Sequence, residues 1–208
     1  MKIGNVSLTW FGHDTFLIEA DKTVYTDPFI LPANPKKADL ILITHDHYDH
    51  CDASKVRQIQ KADTVIVTTP DCASKLSGDV KTIKPGQNMT VGNISIRAIP
   101  AYNIGKQFHP KSSNWVGFIF TVSGTTFYIA GDTDFIPEMK GLKPDVALLP
   151  IGGNYTMDIE QAVSAVLAIS PKIAIPMHYG TIDGTEADPV EFKEKVNAKR
   201  PDIKVEIL

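Results

Sequence analysis

Short apolar runs rich in β-branched residues recur along the chain and limit it to folds built on many short strands. A first set of runs lies at residues 6–10, 15–20, 24–26, 40–43 and 65–68. A second set lies at residues 82–83, 93–99, 115–122, 125–130, 146–149, 173–176 and 203–208. The chain therefore contains two halves of a similar kind, which predicts two sheets.

Three stretches with helical character lie among these runs. They cover residues 53–61, 158–169 and 189–198. Asp158 and Asp188 each offer a side-chain oxygen that can cap the helix that follows, and Pro189 suits a first helical turn. Because no linker rich in proline or serine is present, the pattern predicts a single α/β domain over residues 1–208, with two packed sheets and helices outside.

Composition excludes several classes of protein. The 208 residues carry 21 Lys and Arg against 24 Asp and Glu, a net charge of -3, with no block of like charges. A nucleic acid or an anionic membrane is therefore a poor expected partner. No apolar run is long enough to cross a bilayer, and Cys51 and Cys72 are too few for a disulfide framework. We expect a cytoplasmic protein; its oligomeric state is not predicted by these features.

Potential metal ligands are concentrated in one short motif, His45-Asp46-His47-Tyr48-Asp49-His50, which directly follows an apolar strand. In an extended turn, residues two apart point to the same side, so His45 and His47 can bind one ion while Asp49 and His50 face a second. Imidazole and carboxylate ligands favour zinc, with Mn, Fe or Ni as alternatives. The competing interpretation is a solvated histidine-rich loop that only ends the strand.

Two further candidate ligands follow other strands. Asp132 comes after the run at 125–130 in a turn of small residues, where its carboxylate could bridge two ions. The alternative, a turn or helix cap, suits Asp134 better. His178 follows the run at 173–176. A lone histidine at a strand end is more often structural, but the other candidate ligands in the sequence favour a metal-binding role for His178.

Together these residues resemble the metallo-β-lactamase superfamily. The resemblance covers residues 6–182 and rests on the histidine motif, on Gly131-Asp132-Thr133 and on the residues around His178. The residues around His13 and the segment at 150–153 resemble the branch of stand-alone metal-dependent hydrolases similar to the ascorbate-phosphate lactonases. The resemblance implies a four-layer αββα sandwich with the metals at one edge. It also implies that His45 and His47 bind the first ion, that Asp49, His50 and His178 bind the second, and that Asp132 bridges them.

The superfamily pattern also calls for one more histidine, after a strand in the middle of the chain. Asn103 occupies the usual position, and the free candidate is His109, six residues later. We expect His109 to complete the first ion's ligands, with Asn103 or water as the alternative. His13, Asn103 and Tyr155 are predicted to line the substrate site; as alternatives, His13 orients a metal ligand from behind or is a turn residue, and Tyr155 only leads into a helix.

These features predict a metal-dependent hydrolase that acts on a small-molecule ester, lactone or phosphodiester. Asp49 is the expected catalytic residue, which orients a metal-activated water and carries its proton. Lys106, Lys111 and Lys143 could serve an anionic substrate. An iron-dependent redox or oxygen enzyme on the same scaffold remains an alternative. A nuclease is a further alternative, against which the acidic balance and the absence of a basic strip weigh.

Overall fold

The computed structural model describes residues 1–208 and contains two seven-stranded sheets. The first sheet contains β1 (Lys2–Ile3), β2 (Val6–Gly12), β3 (Thr15–Glu19), β4 (Thr23–Thr26), β5 (Leu40–Leu42), β6 (Val65–Thr68) and β7 (Asp79–Thr82). The second contains β8 (Asn88–Val91), β9 (Ile94–Pro100), β10 (Val116–Val122), β11 (Thr125–Ile129), β12 (Val146–Pro150), β13 (Ile173–Met177) and β14 (Lys204–Val205).

Four α-helices accompany the sheets. They are α1 (Ala53–Ile59), α2 (Pro70–Ala73), α3 (Ile159–Ile169) and α4 (Pro189–Lys199), and single 3-10 turns lie at Lys111–Ser113 and Pro137–Met139. The expected caps are present, because Asp158 accepts a hydrogen bond from the backbone of α3 and Asp188 from that of α4. None of the helices has the length and apolar character needed to span a bilayer.

The two sheets follow the same connection pattern. In each sheet the first four strands are antiparallel neighbours, and the fourth strand begins a parallel series that runs to the seventh. Parallel neighbours need crossover connections, and the helices lie within the connections between parallel strands. The expectation of two halves of similar kind is confirmed by this shared topology.

Alternate residues of the first sheet pack on opposite sides of it. Phe16 and Ile18 belong to the large core that also contains residues of the second sheet, α3 and α4. Leu17, between them, belongs to a smaller core with Val56 and Ile59 of α1. The layers therefore run from α1 through the two sheets to α3 and α4, which confirms the predicted αββα sandwich.

The sequence-based boundaries differ from the structure mainly where strands are polar or very short. β8 is not predicted by the apolar pattern, because Asn88 and Thr90 are exposed and only Met89 and Val91 face inward in part. The short elements β1 and α2 are also missed. The predicted C-terminal strand at 203–208 shrinks to Lys204–Val205.

Candidate metal centre

The histidine motif forms a tight turn between β5 and α1. The backbone N–H groups of His50 and Cys51 both donate to the carbonyl oxygen of His47, at 3.1 and 2.8 Å. The turn ends where Asp52 caps α1 by accepting a hydrogen bond from Ser54 N at 2.7 Å. The motif is thus held between a buried strand and a capped helix, so its side chains have fixed directions.

A first group of potential ligands consists of His45, His47, His109 and Asp132. One ligand atom from each of the four lies within 4.8 Å of the others. Asp132 Oδ2 is 3.2 Å from His109 Nε2 and 3.9 Å from His45 Nε2. The structure therefore brings His109, rather than Asn103, to the side of His45 and His47.

A second group consists of His13, Asp49, His50 and His178, again within 4.8 Å of one another. Asp132 also reaches this group, because its Oδ1 lies 3.5 Å from His50 Nε2 and its Oδ2 lies 3.1 Å from His178 Nε2. All seven predicted ligands are thus gathered at one edge of the sandwich, with Asp132 between the two groups.

The donor atoms at this edge fit divalent cations. His50 Nε2, His109 Nε2, His178 Nε2 and Asp132 Oδ1 are buried and make no hydrogen bond. A buried polar atom without a partner costs about 1–3 kcal/mol, so several such atoms around one carboxylate call for a further partner. Imidazole nitrogens and carboxylate oxygens are the ligands that zinc and other first-row divalent metals accept.

Two residues behind the ligands fix the histidine rings. Asp27 Oδ2 lies 2.9 Å from His50 Nδ1, so this nitrogen donates to the carboxylate and Nε2 is left free to bind an ion. Asn103 Oδ1 accepts from His109 through both the backbone N and Nδ1, each at 3.0 Å. Asp27 was missed by the sequence reasoning; the available signal was a lone aspartate directly after β4.

Trp115 is a second residue that the sequence reasoning missed. Its ring centroid lies 4.9 Å from that of His45 and 4.8 Å from that of His47. Its indole nitrogen donates to Asp71 Oδ2 at 2.6 Å. Trp115 therefore forms a fixed wall behind two histidines of the first group.

The comparisons with known proteins agree with this geometry. Residues 7–178 match the family model described as the beta-lactamase superfamily domain. The chain belongs to the metallo-β-lactamase superfamily. This confirms the family that the sequence motifs indicated.

Relatives of similar length carry the name UPF0173 metal-dependent hydrolase. One from Thermoplasma acidophilum is 40% identical, with 91% of this chain and 90% of the relative covered. One from Archaeoglobus fulgidus is 37% identical, with 98% and 96% covered. The chain is thus a metal-dependent hydrolase in the general sense that these relatives support.

Two solved structures are similar over nearly the whole chain. Igni18, a metallo hydrolase from Ignicoccus hospitalis, has 32% identity and a TM-score of 0.82, with 98% of this chain and 94% of Igni18 covered. A protein from Parabacteroides distasonis has 36% identity and a TM-score of 0.84, with 97% and 92% covered. The αββα arrangement described above is therefore the fold of this superfamily.

In this metallo-β-lactamase superfamily member, charge is unevenly distributed over the buried groups. Burial alone would raise the pKa of Asp132, but the neighbouring His178, His50 and His109 outweigh it and hold that pKa well below the ordinary value. Burial lowers the pKa of His13 to about 4, despite its hydrogen bond to Asp49 at 3.0 Å. Asp132 is therefore ionised and His13 neutral near pH 7.

A cavity of about 260 Å³ opens over the ligands of this superfamily member. Five wall residues come from the ligand groups, namely His47, Asp49, His109, Asp132 and His178. The other four are Tyr48, Phe108, Tyr155 and Ile182.

The three residues predicted to line the substrate site have different positions. Tyr155 lines the cavity, as expected. His13 is fully buried and its Nε2 is hydrogen-bonded to Asp49, and Asn103 is buried with its Oδ1 hydrogen-bonded to His109; neither residue lines the cavity. The structure thus places these two behind the site instead of on its wall.

The lysines considered for an anionic substrate are not free at the cavity. Lys106 Nζ donates to Asp134 Oδ1 at 2.8 Å and to the carbonyl oxygens of Gly153 and Thr156 at 2.9 and 2.5 Å. Lys111 pairs with Glu138 at 3.1 Å. Neither lysine lines the cavity, and Lys143 does not line it either.

Proposed function

We propose that this protein is a dinuclear hydrolase that activates a water molecule against a small-molecule ester, lactone or phosphodiester. The observation that carries the proposal is the position of Asp132 between two groups of histidines. Its carboxylate lies 3.2 Å from His109 Nε2 on one side and 3.1 Å from His178 Nε2 on the other. A single carboxylate in that position can serve two cations at once.

The first group would hold one ion through His45, His47 and His109, and the second would hold another through Asp49, His50 and His178. Asp132 would be shared. Zinc suits this set of nitrogen and oxygen donors best, and Mn, Fe or Ni would also fit it. His13 supports the second group by hydrogen bonding to Asp49 at 3.0 Å.

Bound cations would lower the pKa of water toward neutrality and polarise the oxygen of the scissile bond. The protein's own contribution starts at Asp49, whose carboxylate lines the cavity while His13 holds its Oδ2 from behind. Asp49 can therefore orient the attacking water and accept its proton. The same carboxylate can return that proton to the leaving oxygen when the bond breaks.

The test combines metal analysis with turnover. The purified protein would be stripped with a chelator, reloaded separately with Zn, Mn, Fe or Ni, and assayed on a panel of aryl esters, lactones, aryl phosphodiesters and oligonucleotides. We expect two ions per chain and hydrolysis of at least one ester, lactone or phosphodiester. Asp132→Ala is the matched control, which should retain neither.

Four results would contradict the proposal. If the protein binds two ions but hydrolyses nothing on the panel, the proposed hydrolytic activity is wrong. Iron with oxygen-dependent turnover would favour the redox alternative, and turnover of oligonucleotides alone would favour a nuclease. If only one ion binds per chain, the proposed dinuclear site is wrong.

A further inference from the structure

The part of the cavity wall that does not come from ligands is apolar and largely aromatic. It consists of Tyr48, Phe108, Tyr155 and Ile182. Tyr48 is 69% exposed and Phe108 is 45% exposed, and both border the same cavity, which makes their exposure informative. Exposed aromatic residues that meet at the mouth of a cavity are typical of a binding surface.

The aromatic residues are held in place rather than loosely displayed. Phe108 packs edge-on against Tyr155, with ring centroids 4.8 Å apart and planes at 77°. Tyr48, also on the wall, packs edge-on against Phe29, with centroids 5.9 Å apart. These arrangements are favourable for aromatic pairs and hold the aromatic residues of the wall in place.

No free cationic side chain faces this cavity. The three hydrogen bonds that Lys106 makes to Asp134, Gly153 and Thr156 occupy all the donors of its ammonium group. Lys75 pairs with Asp46, and neither residue lines the cavity. A remote anionic group on a substrate would therefore lose part of its hydration without gaining a cationic partner.

We propose that the site selects substrates whose part away from the scissile bond is an uncharged apolar group, aromatic or aliphatic. This inference rests on the proposed hydrolytic function and names its substrate class. Substrates that carry a second, remote carboxylate or phosphate are disfavoured. The apolar group would lie against Tyr48, Phe108, Tyr155 and Ile182.

The test compares two esters that share a leaving group. In 4-nitrophenyl hexanoate the acyl chain ends in a methyl group, and in the 4-nitrophenyl half-ester of adipic acid it ends in a carboxylate. We expect the metal-loaded enzyme to favour the hexanoate in kcat/KM by roughly 10-fold or more, because the carboxylate stays unpaired against an apolar wall. Equal rates, or a preference for the adipate half-ester, would overturn the inference.

Variants of the wall make the comparison specific. Phe108→Ala should lower kcat/KM for the hexanoate by roughly 10-fold, the usual effect of one apolar wall contact. Phe108→Lys should narrow or reverse the preference, because it supplies the missing cation. Ile104→Ala is the matched control, since Ile104 is 58% exposed in the same loop but lies outside the cavity wall. If Phe108→Ala behaves like Ile104→Ala, the wall does not select substrate.

A binding measurement separates this inference from the proposed function. Calorimetry with the uncharged probe 4-phenyl-1-butanol tests the wall in the metal-loaded protein without any turnover. Binding that Phe108→Ala weakens supports the inference even if no substrate on the panel is hydrolysed. If hydrolysis occurs but the probe does not bind, the apolar wall is not a binding surface while the hydrolytic function stands.

Discussion

Asp27 holds histidines of both ligand groups through one carboxylate oxygen and one threonine. Its Oδ2 accepts a hydrogen bond from His50 Nδ1 at 2.9 Å and another from Thr44 Oγ1 at 2.7 Å. Thr44 Oγ1 in turn lies 2.9 Å from His45 Nδ1, which can donate to it. One buried carboxylate thus engages Nδ1 of His50 directly and Nδ1 of His45 through Thr44, so Nε2 is the nitrogen of each ring that faces the other ligands.

We predict that Asp27→Asn weakens metal binding about 10- to 100-fold, the usual cost of losing a carboxylate behind a histidine ligand. The backbone should tolerate the change, because Asp27 has φ 35° and asparagine accepts this left-handed region. Competition with a coloured chelator gives the affinity. Asp63→Asn, on an exposed side chain, is the control. Unchanged affinity in Asp27→Asn would mean that the histidines are positioned without it.

The variant Thr44→Val should affect metal binding in the first ligand group more than in the second. Valine keeps the shape of threonine but removes the oxygen that links Asp27 to His45. We expect the ion of the first group to be released at a lower chelator concentration, while the ion of the second group is held more nearly as in the parent. Equal weakening of both ions would contradict the route through Thr44.

Asp132→Ala should remove metal from both groups, because the carboxylate lies within 3.5 Å of histidines on each side. Loss of a residue that only orients a ligand weakens metal binding by up to about 100-fold. Asp132 is itself a predicted ligand, so its loss should weaken metal binding by more than that. Bound metal per chain after gel filtration, together with hydrolysis, checks this. A variant that keeps two ions and near-normal rates would show that Asp132 only shapes the turn after β11.

His109→Ala should release the ion of the first group far more readily than that of the second. Asn103→Ala should have a smaller effect, about 10-fold, because Asn103 acts by holding the His109 ring at 3.0 Å. A chelator titration of both variants orders the two effects. A larger effect in Asn103→Ala would restore the alternative in which Asn103 or water completes the first group.

Much of the site could be predicted because the ligands follow strands that end at the same edge. Asp132 follows β11 and His178 follows β13, and the parallel series from β11 to β13 places their carboxyl ends together in the second sheet; His45 follows β5 of the parallel series in the first sheet. Local sequence therefore carried enough information to propose their meeting. The alternation of apolar residues likewise predicted the sheets, except where a strand such as β8 is mostly polar.

Contacts between distant loops could not be predicted in this way. His13 and His178 come from different sheets, yet their ring centroids lie 4.0 Å apart. Lys106 was considered for an anionic substrate, but its loop returns to Asp134 and Gly153, 28 and 47 residues along the chain. Such pairings depend on how the two sheets pack, and no periodicity in the sequence records it.

The indole of Trp115 provides an optical test of the first group. The chain has two tryptophans, Trp10 and Trp115, so the variant Trp10→Phe reports on Trp115 alone. Because Trp115 packs against His45 and His47, we expect zinc binding to change its emission. Adding His109→Ala should move that change to higher zinc concentration. The same titration curve in both backgrounds would show that the signal does not come from the first group.

Asp14 should destabilise the metal-free protein as the pH rises. Its carboxylate is fully buried without a hydrogen bond, and burial, opposed by the charges of His178 and His50, raises its pKa to about 8. Above pH 3.8, the ordinary pKa of this group, the unfolded chain loses a proton that the folded state still keeps. The contribution of Asp14 to stability is therefore complete below pH 3.8 and is lost as the pH rises to about 8.

Asp14→Asn removes this titration. In chelator, the variant should gain stability over the parent between about pH 4 and pH 8, by up to about 1.4 kcal/mol for each pH unit. Urea unfolding at several pH values measures the difference in unfolding free energy. Comparing variant with parent cancels the titration of groups that do not interact with Asp14, whereas His178 and His50 interact with it, so the pH slope reports Asp14 together with these two histidines. A difference that stays constant with pH would mean that Asp14 is ionised in the folded protein throughout this range, held by His50 at 4.0 Å and by His178.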